Sequence, residues 1–189
     1  MEWLQQWDSS VLFFIQQHVR SDFLDPLMTA ITSLGDIGFI WLIGAALLLV
    51  QKKYRKHGLL LLGVLLLCLL VGNFGLKNLI GRTRPCIAYP GTPLLIPVPS
   101  GSSFPSAHSM TSFAAAGVLF AANRRYGVAA FAVAAAIAFS RLYLFVHYPS
   151  DVLAGMLIGL GIAAICVFAS RRLYPRFRKR LVGQRAKTE

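Results

Sequence analysis

Acidic residues are what this chain has least of: seven Asp and Glu against nineteen Lys and Arg in 189 positions, a formal net charge of +12. After Asp36 the next acid is Asp151, and after that only Glu189, the last residue. A catalytic metal needs a group of carboxylate or histidine ligands. One Asp and two His could in principle hold a zinc ion, but the basic residues around them would repel it. No metal and no cofactor is expected. Cysteine is scarce too. Cys68 and Cys166 lie in apolar runs and read as packing residues, while Cys86 follows Pro85 with no evident partner, so no disulfide and no cysteine-based metal site is expected. Charge as a whole is low, 14% of residues, whereas 56% are hydrophobic and the mean hydropathy is +0.62. That balance excludes an ordinary soluble domain and fits a polytopic membrane protein. No internal repeat is visible, which tells against a transporter built from inverted repeats. A cleavable signal peptide is not expected either, since Glu2 is acidic and the apolar run from Val11 to Ile15 is short.

What is there is a succession of apolar runs. Residues 1–35 read as interfacial amphipathic helices. Asp8 or Ser9 can cap a helix through Val11, Leu12, Phe13, Phe14 and Ile15. Ser21-Asp22 starts a second, in which Leu24, Leu27, Met28, Ile31 and Leu34 recur at helical spacing. Gly35-Asp36-Ile37-Gly38 breaks the pattern. Spans follow at about 37–50, 59–76, 106–122, 128–143 and 150–170. The expected fold is therefore all-α, a polytopic transmembrane helix bundle of about five spans. N-terminal interfacial helices occupy 1–35, the bundle 36–172 and a basic cytoplasmic tail 173–189. The segment from Pro85 to Pro105 is too rich in proline for a regular helix. Its Leu94, Leu95, Ile96 and Val98 either dip into the headgroup layer or pack on the bundle.

The basic residues fall into two groups. Lys52, Lys53, Arg55 and Lys56, then Arg124 and Arg125, then the tail, all lie on one side of a five-span chain, which the positive-inside pattern makes cytoplasmic. This placement argues for topology, and against nucleic acid, as the reason for the positive charge. Lys77, Arg82, Arg84 and Arg141 lie on the opposite side, and an anionic substrate accounts for them. Arg82 is open to two readings, a second phosphate contact or a headgroup contact.

Those four sit among the residues that can do chemistry. Lys77, Arg84 and Arg141 can converge at the outer ends of the second and fourth spans, where three fixed cations suit a phosphoryl group. Ser106 opens the third span, and a helix N-terminus with a hydroxyl is a ready anion site. His147 and Asp151 stand four residues apart, which sets a carboxylate beside an imidazole. The Asp can accept from one ring nitrogen and leave the other free to attack phosphorus. His108 can protonate the leaving oxygen and then activate water. Alone, each piece has a plainer reading: Asp151 as a helix cap, Arg141 as a snorkelling residue, His108 as an interfacial side chain.

In order and spacing the pieces are specific. Lys77 followed after six residues by Arg84-Pro85, then Pro105-Ser106-Ala107-His108, then Ser140-Arg141 with His147 and Asp151, resemble the tripartite signature of the type 2 phosphatidic acid phosphatase superfamily. The resemblance covers roughly residues 22–172. It implies that His147 is the nucleophile, Asp151 its orienting partner and His108 the general acid and then base. It also implies that Lys77, Arg84, Ser106, Arg141 and the backbone at Ala107 bind phosphate without a metal. One departure is visible: the family usually has Gly where this chain has Ala107, and Gly permits backbone conformations that Ala resists. The implied activity is a lipid phosphatase at the outer face of a bacterial inner membrane. Its substrate would be a lipid phosphate or pyrophosphate drawn from the bilayer, undecaprenyl pyrophosphate and phosphatidylglycerophosphate foremost. A lipid phosphotransferase shares the first step. A catalytically silent lipid-binding or transport protein is the alternative from another class; it would be expected to lose His108 or His147, and both are present.

Overall fold

The computed structural model describes residues 2–185, with side chains as far as Arg172, and they form helices joined by turns. Helix α1 (Glu2–His18) begins well before the cap expected at Asp8 or Ser9. Asp8 is thus a mid-helix residue. It shares one face with Leu12 and Ile15, at the i, i+4, i+7 spacing of a packed stripe, and all three are buried. Helix α2 (Leu24–Leu34) ends at Gly35, and a single 3-10 turn, Asp36–Gly38, joins it to α3 (Phe39–Val50). The axis bends there by 49°, and α2 and α3 together are long and apolar enough to make one broken span. Ile37 sits in the bend at a φ of 54°, a strained conformation for a β-branched residue. The sequence pattern alone groups α2 with α1 at the interface, and leaves open a bent crossing of residues 8–35.

Helix α4 (Arg55–Cys68) runs through a π-helical segment, Leu69–Leu76, into α5 (Lys77–Ile80), which Gly81 ends at a φ of 62°. A π segment re-registers the side chains beyond it, and here the first residue beyond it is Lys77. Pro85 opens the short α6 (Pro85–Ala88), where its missing N–H costs no helical hydrogen bond. Residues 87–104 then cross the end of the bundle. Leu94, Leu95 and Ile96 pack against Leu12, Ile15, Met28 and the turn around Phe145, so this segment lies on the bundle.

At the centre stands α7 (Ala107–Ala122), flanked by α8 (Arg124–Tyr143) and α9 (Pro149–Arg185). The side of the basic tail that falls on residues 173–185 continues α9, and 186–189 lie outside the described residues. Met110, Ala114, Ala115 and Val118 of α7 are wholly or almost wholly buried. Helices α7 and α9 start side by side, Ser106 N–H donating to Asp151 O at 3.1 Å. Small residues keep them close. A Cβ on Gly155 would stand 2.6 Å from Ser106 O, and one on Gly159 would overlap the Met110 carbonyl. This is the small-residue packing by which helices associate in a membrane. Outward, Leu59 and Leu66 of α4 and Leu157, Ile165 and Phe168 of α9 are more than half exposed, a surface suited to lipid.

The ends of the bundle differ. Asn123 caps α8 by accepting from Arg125 N–H at 2.9 Å, and its amide donates to Tyr54 Oη at 3.3 Å. The loop of Lys52 and Lys53 therefore meets Arg124 and Arg125 at one end. The parallel course of α7 and α9 brings Arg171 and Arg172 to the same end. The segments 77–84, 106–108 and 141–151 gather at the other.

Candidate active site

Helix α8 closes at Tyr143 and the chain turns sharply before α9. Phe145 takes a φ of 58°, and Val146 N–H returns to Arg141 O at 3.2 Å. The turn buries His147, which is 2% exposed. Its Nε2 lies 3.2 Å from Arg84 Nη1, and its Nδ1 lies 3.5 Å from Ser103 Oγ and 3.8 Å from Asp151 Oδ2. A guanidinium can only donate, so the Arg84 contact makes Nε2 the acceptor and leaves the ring proton on Nδ1, facing Asp151. Burial pushes the imidazole pKa down to about 3; the Asp151 carboxylate beside the ring opposes this, and Arg141 and Arg84 add to it. The ring is neutral at physiological pH, with its Nε2 lone pair toward the cationic side.

Asp151 is fully buried. Its Oδ1 accepts from Arg82 Nη1 at 2.6 Å, and its Oδ2 accepts from Ser103 Oγ at 2.5 Å and from Tyr148 N–H at 2.9 Å. The last contact is half of a capping box, a carboxylate in the first turn reaching back to the residue before the helix. One side chain thus anchors the first turn of α9 and stands beside the imidazole. At 3.8 Å the His147–Asp151 contact is an ion-pair distance, longer than a hydrogen bond.

A cavity of about 620 Å³ opens against His147. Lys77, Arg84, Arg141, His108 and His147 line it, together with Leu42, Leu62, Leu65, Leu66 and Leu69. Arg141, 3% exposed, spends Nη1 on Thr32 Oγ1 at 2.6 Å, and its buried Nε has no partner. Arg84 donates to the carbonyls of Ser100, Gly101 and Val146 at 2.9–3.0 Å, which ties the 100–101 segment to the His147 turn. Ala107 is on the cavity wall. Ser106 is placed differently. It is the N-cap of α7, its Oγ accepting from Ser109 N–H at 3.4 Å and from Ser109 Oγ at 2.9 Å, and it is not among the lining residues.

His108 meets a carboxylate that the sequence had shown only as part of a break: its Nε2 lies 3.0 Å from Asp36 Oδ1. Gly35 makes room for the ring, since a Cβ there would stand 2.6 Å from His108 Cδ2. Arg82 is turned from the cavity and spans Asp151 and Asp8. Asp8, Thr32, Asp36 and Ser103 are the site residues that sequence reasoning missed. Asp8 carried the one available signal, an acid on the apolar stripe of an amphipathic helix.

A membrane-capable helical bundle with cations and two imidazole–carboxylate contacts around one cavity defines a protein of phosphoryl chemistry at a membrane. The chain belongs to the PAP2 superfamily, whose profile matches residues 57–174. It is 31% identical over 145 residues to an undecaprenyl-diphosphatase of Sulfolobus acidocaldarius, covering 76% of this chain and 69% of that one. It is 35% identical over 157 residues to phosphatidylglycerophosphatase B of Bacillus subtilis, covering 75% and 73%. Among solved structures, it superposes with a TM-score of 0.75 and 27% identity on a transmembrane PAP2-type phosphatidylglycerolphosphate phosphatase from Bacillus subtilis, over 91% of this chain and 88% of that one. The protein is a multi-pass membrane phosphatase of PAP2 type.

Proposed function

We propose that the protein hydrolyses a lipid phosphate or pyrophosphate from the outer leaflet of a bacterial inner membrane, through a phosphohistidine on His147. The observation that carries this is the cavity itself, whose lining joins three cations and both histidines to a leucine-rich groove. A phosphorylated lipid has that same division. The phosphoryl group would take Lys77, Arg141 and the first turn of α7 at Ala107. Nε2 of His147 then attacks phosphorus in line as the bond to the lipid oxygen breaks. His108 enters this step as the imidazolium, with Asp36 accepting from Nε2–H, and gives that oxygen its Nδ1 proton. In the second step His108 takes a proton from water, the water oxygen attacks phosphorus, and the P–N bond breaks to release inorganic phosphate and free His147. Asp151 carries the positive charge on the imidazole through both steps. The lipid hydrocarbon would lie along the groove, where undecaprenyl and diacylglycerol chains both find apolar contact.

The test is phosphate release by purified protein across a panel including undecaprenyl pyrophosphate and phosphatidylglycerophosphate, with EDTA present. Activity should persist in EDTA and fall with vanadate, which adopts the five-coordinate geometry of the phosphoryl transition state. Loss in EDTA restored by a divalent ion would establish a metal mechanism instead. A phosphorylated acceptor lipid in place of free phosphate would make the enzyme a phosphotransferase.

The proposed orientation has its own expected result. Val98 is 53% exposed at the site end, and Arg125 is exposed at the basic end. In intact cells, with Cys86 replaced, V98C should react with an impermeant thiol reagent and R125C should not. The reverse pattern would put the site in the cytoplasm.

A further inference from the structure

One buried carboxylate has no task in this scheme. Asp8 is 0% exposed in the middle of α1, on a helix outside the residues that the family profile matches. A buried carboxylate is costly unless paired and hydrogen-bonded, and here every partner leads to the nucleophile. Oδ2 of Asp8 accepts from Arg82 Nη2 at 2.6 Å and from Ser150 Oγ at 2.6 Å, and Oδ1 accepts from Ser150 N–H at 2.9 Å. Arg82 works with both hands. Its Nη1 is on Asp151 at 2.6 Å, its Nη2 also meets Gln5 Oε1 at 2.9 Å, and its guanidinium lies 4.1 Å from the centre of the Tyr148 ring. Ser150, the second anchor, directly precedes Asp151 in the first turn of α9.

We propose that Asp8 is a positioning residue for the Asp151–His147 pair, acting through Arg82 and Ser150, so that α1 is part of the catalytic apparatus. The inference rests on the phosphohistidine reading above. Two effects follow from the geometry. The fork of Arg82 is fixed at both ends, which holds the Asp151 carboxylate beside Nδ1 of His147. The charge of Arg82 is also divided between two carboxylates. Without Asp8 the guanidinium would neutralise Asp151 alone, and less negative charge would remain to stabilise the imidazolium that forms on attack.

Asp8→Asn keeps the shape and an acceptor for Ser150 but removes the charge. In detergent-purified full-length protein it should lower kcat by about ten- to a hundredfold with KM changed less than about threefold. A merely structural Asp8 would instead reduce the yield of folded protein and leave the kcat of the folded fraction unchanged. In the Asp151→Asn background the same substitution should cost almost nothing further, because it acts through Asp151. Should Asp8→Asn not fold, Arg82→Lys replaces it: a point charge cannot hold both carboxylates at once, and kcat should again fall at constant KM. Wild-type kcat in a folded variant, or a full additive loss in the Asp151→Asn background, overturns the proposal. His147→Ala in the same assay separates the two readings. If it is active, the phosphohistidine reading fails; if it is dead while folded Asp8→Asn is normal, only the role of Asp8 fails.

Discussion

His147→Ala should leave a folded protein with turnover reduced at least about a thousandfold. The loss follows from the chemistry. In the proposed scheme Nε2 of His147 is the nucleophile; it lies on the cavity wall with the ring proton on the far side, and no other described histidine shares its partners. The persistence of the fold follows from the neighbours. Asp151 keeps Arg82, Ser103 and the Tyr148 N–H, and Arg84 keeps three carbonyls, so removing the imidazole strands neither charge. The space it leaves borders a cavity that already holds polar groups, and water can fill it. Lys77 and Arg141 remain, so a lipid phosphate should still bind. The measurements are phosphate release, capture of an acid-labile phosphoenzyme with labelled substrate, and thermal unfolding. A folded variant within tenfold of wild type would sink the covalent route.

The bundle and most of the site were legible in the sequence because the bilayer makes strong demands. Apolar runs of spanning length have few other uses, and Lys77, Arg84, Arg141 and Asp151 stand out against them. Lys77, Arg84, Arg141, His108 and His147 do meet at one cavity, and Asp151 does stand beside His147. Three features were hidden, each for a physical reason. Asp8 looked like a cap because Asp commonly is one; only the earlier start of α1, at Glu2, turns it inward. Asp36 looked like loop punctuation between two glycines, and its approach to His108 depends on a 49° bend that no local pattern announces. Ser103 lies in a segment without periodicity, brought to Asp151 by the tie of Ser103 N–H to Arg82 O at 2.8 Å. These contacts span long stretches of chain, where spacing carries no information. Ser106 shows the opposite limit. Its sequence position fits an anion site and a helix cap equally, and in the structure it serves as the cap.

Asp151→Asn should lower kcat by hundreds-fold or more, with a smaller change in KM. Asn keeps the outline of the side chain, but the site asks for acceptors on both oxygens. Oδ1 receives Arg82, and Oδ2 receives Ser103 and the Tyr148 N–H. An amide has one acceptor and one donor group. With its oxygen in the Oδ2 position, the NH2 faces the Arg82 guanidinium; flipped, it faces the Tyr148 N–H. Either way a donor meets a donor in a buried place, which should cost about 1–3 kcal/mol of stability. Arg82 would then pair with Asp8 alone, and the charge that steadies an imidazolium on His147 is gone. The neutral ring can also lose its preference for the Nδ1–H tautomer, which takes the Nε2 lone pair out of line with phosphorus. In the proposed scheme ground-state binding falls to Lys77, Arg141 and the start of α7, none of which touches Asp151 by a hydrogen bond between side chains, so KM should move little. Phosphoenzyme formation should slow together with turnover. If the variant unfolds more readily yet keeps its kcat, Asp151 serves only as the first-turn anchor of α9, and the pairing with His147 has no part in the chemistry.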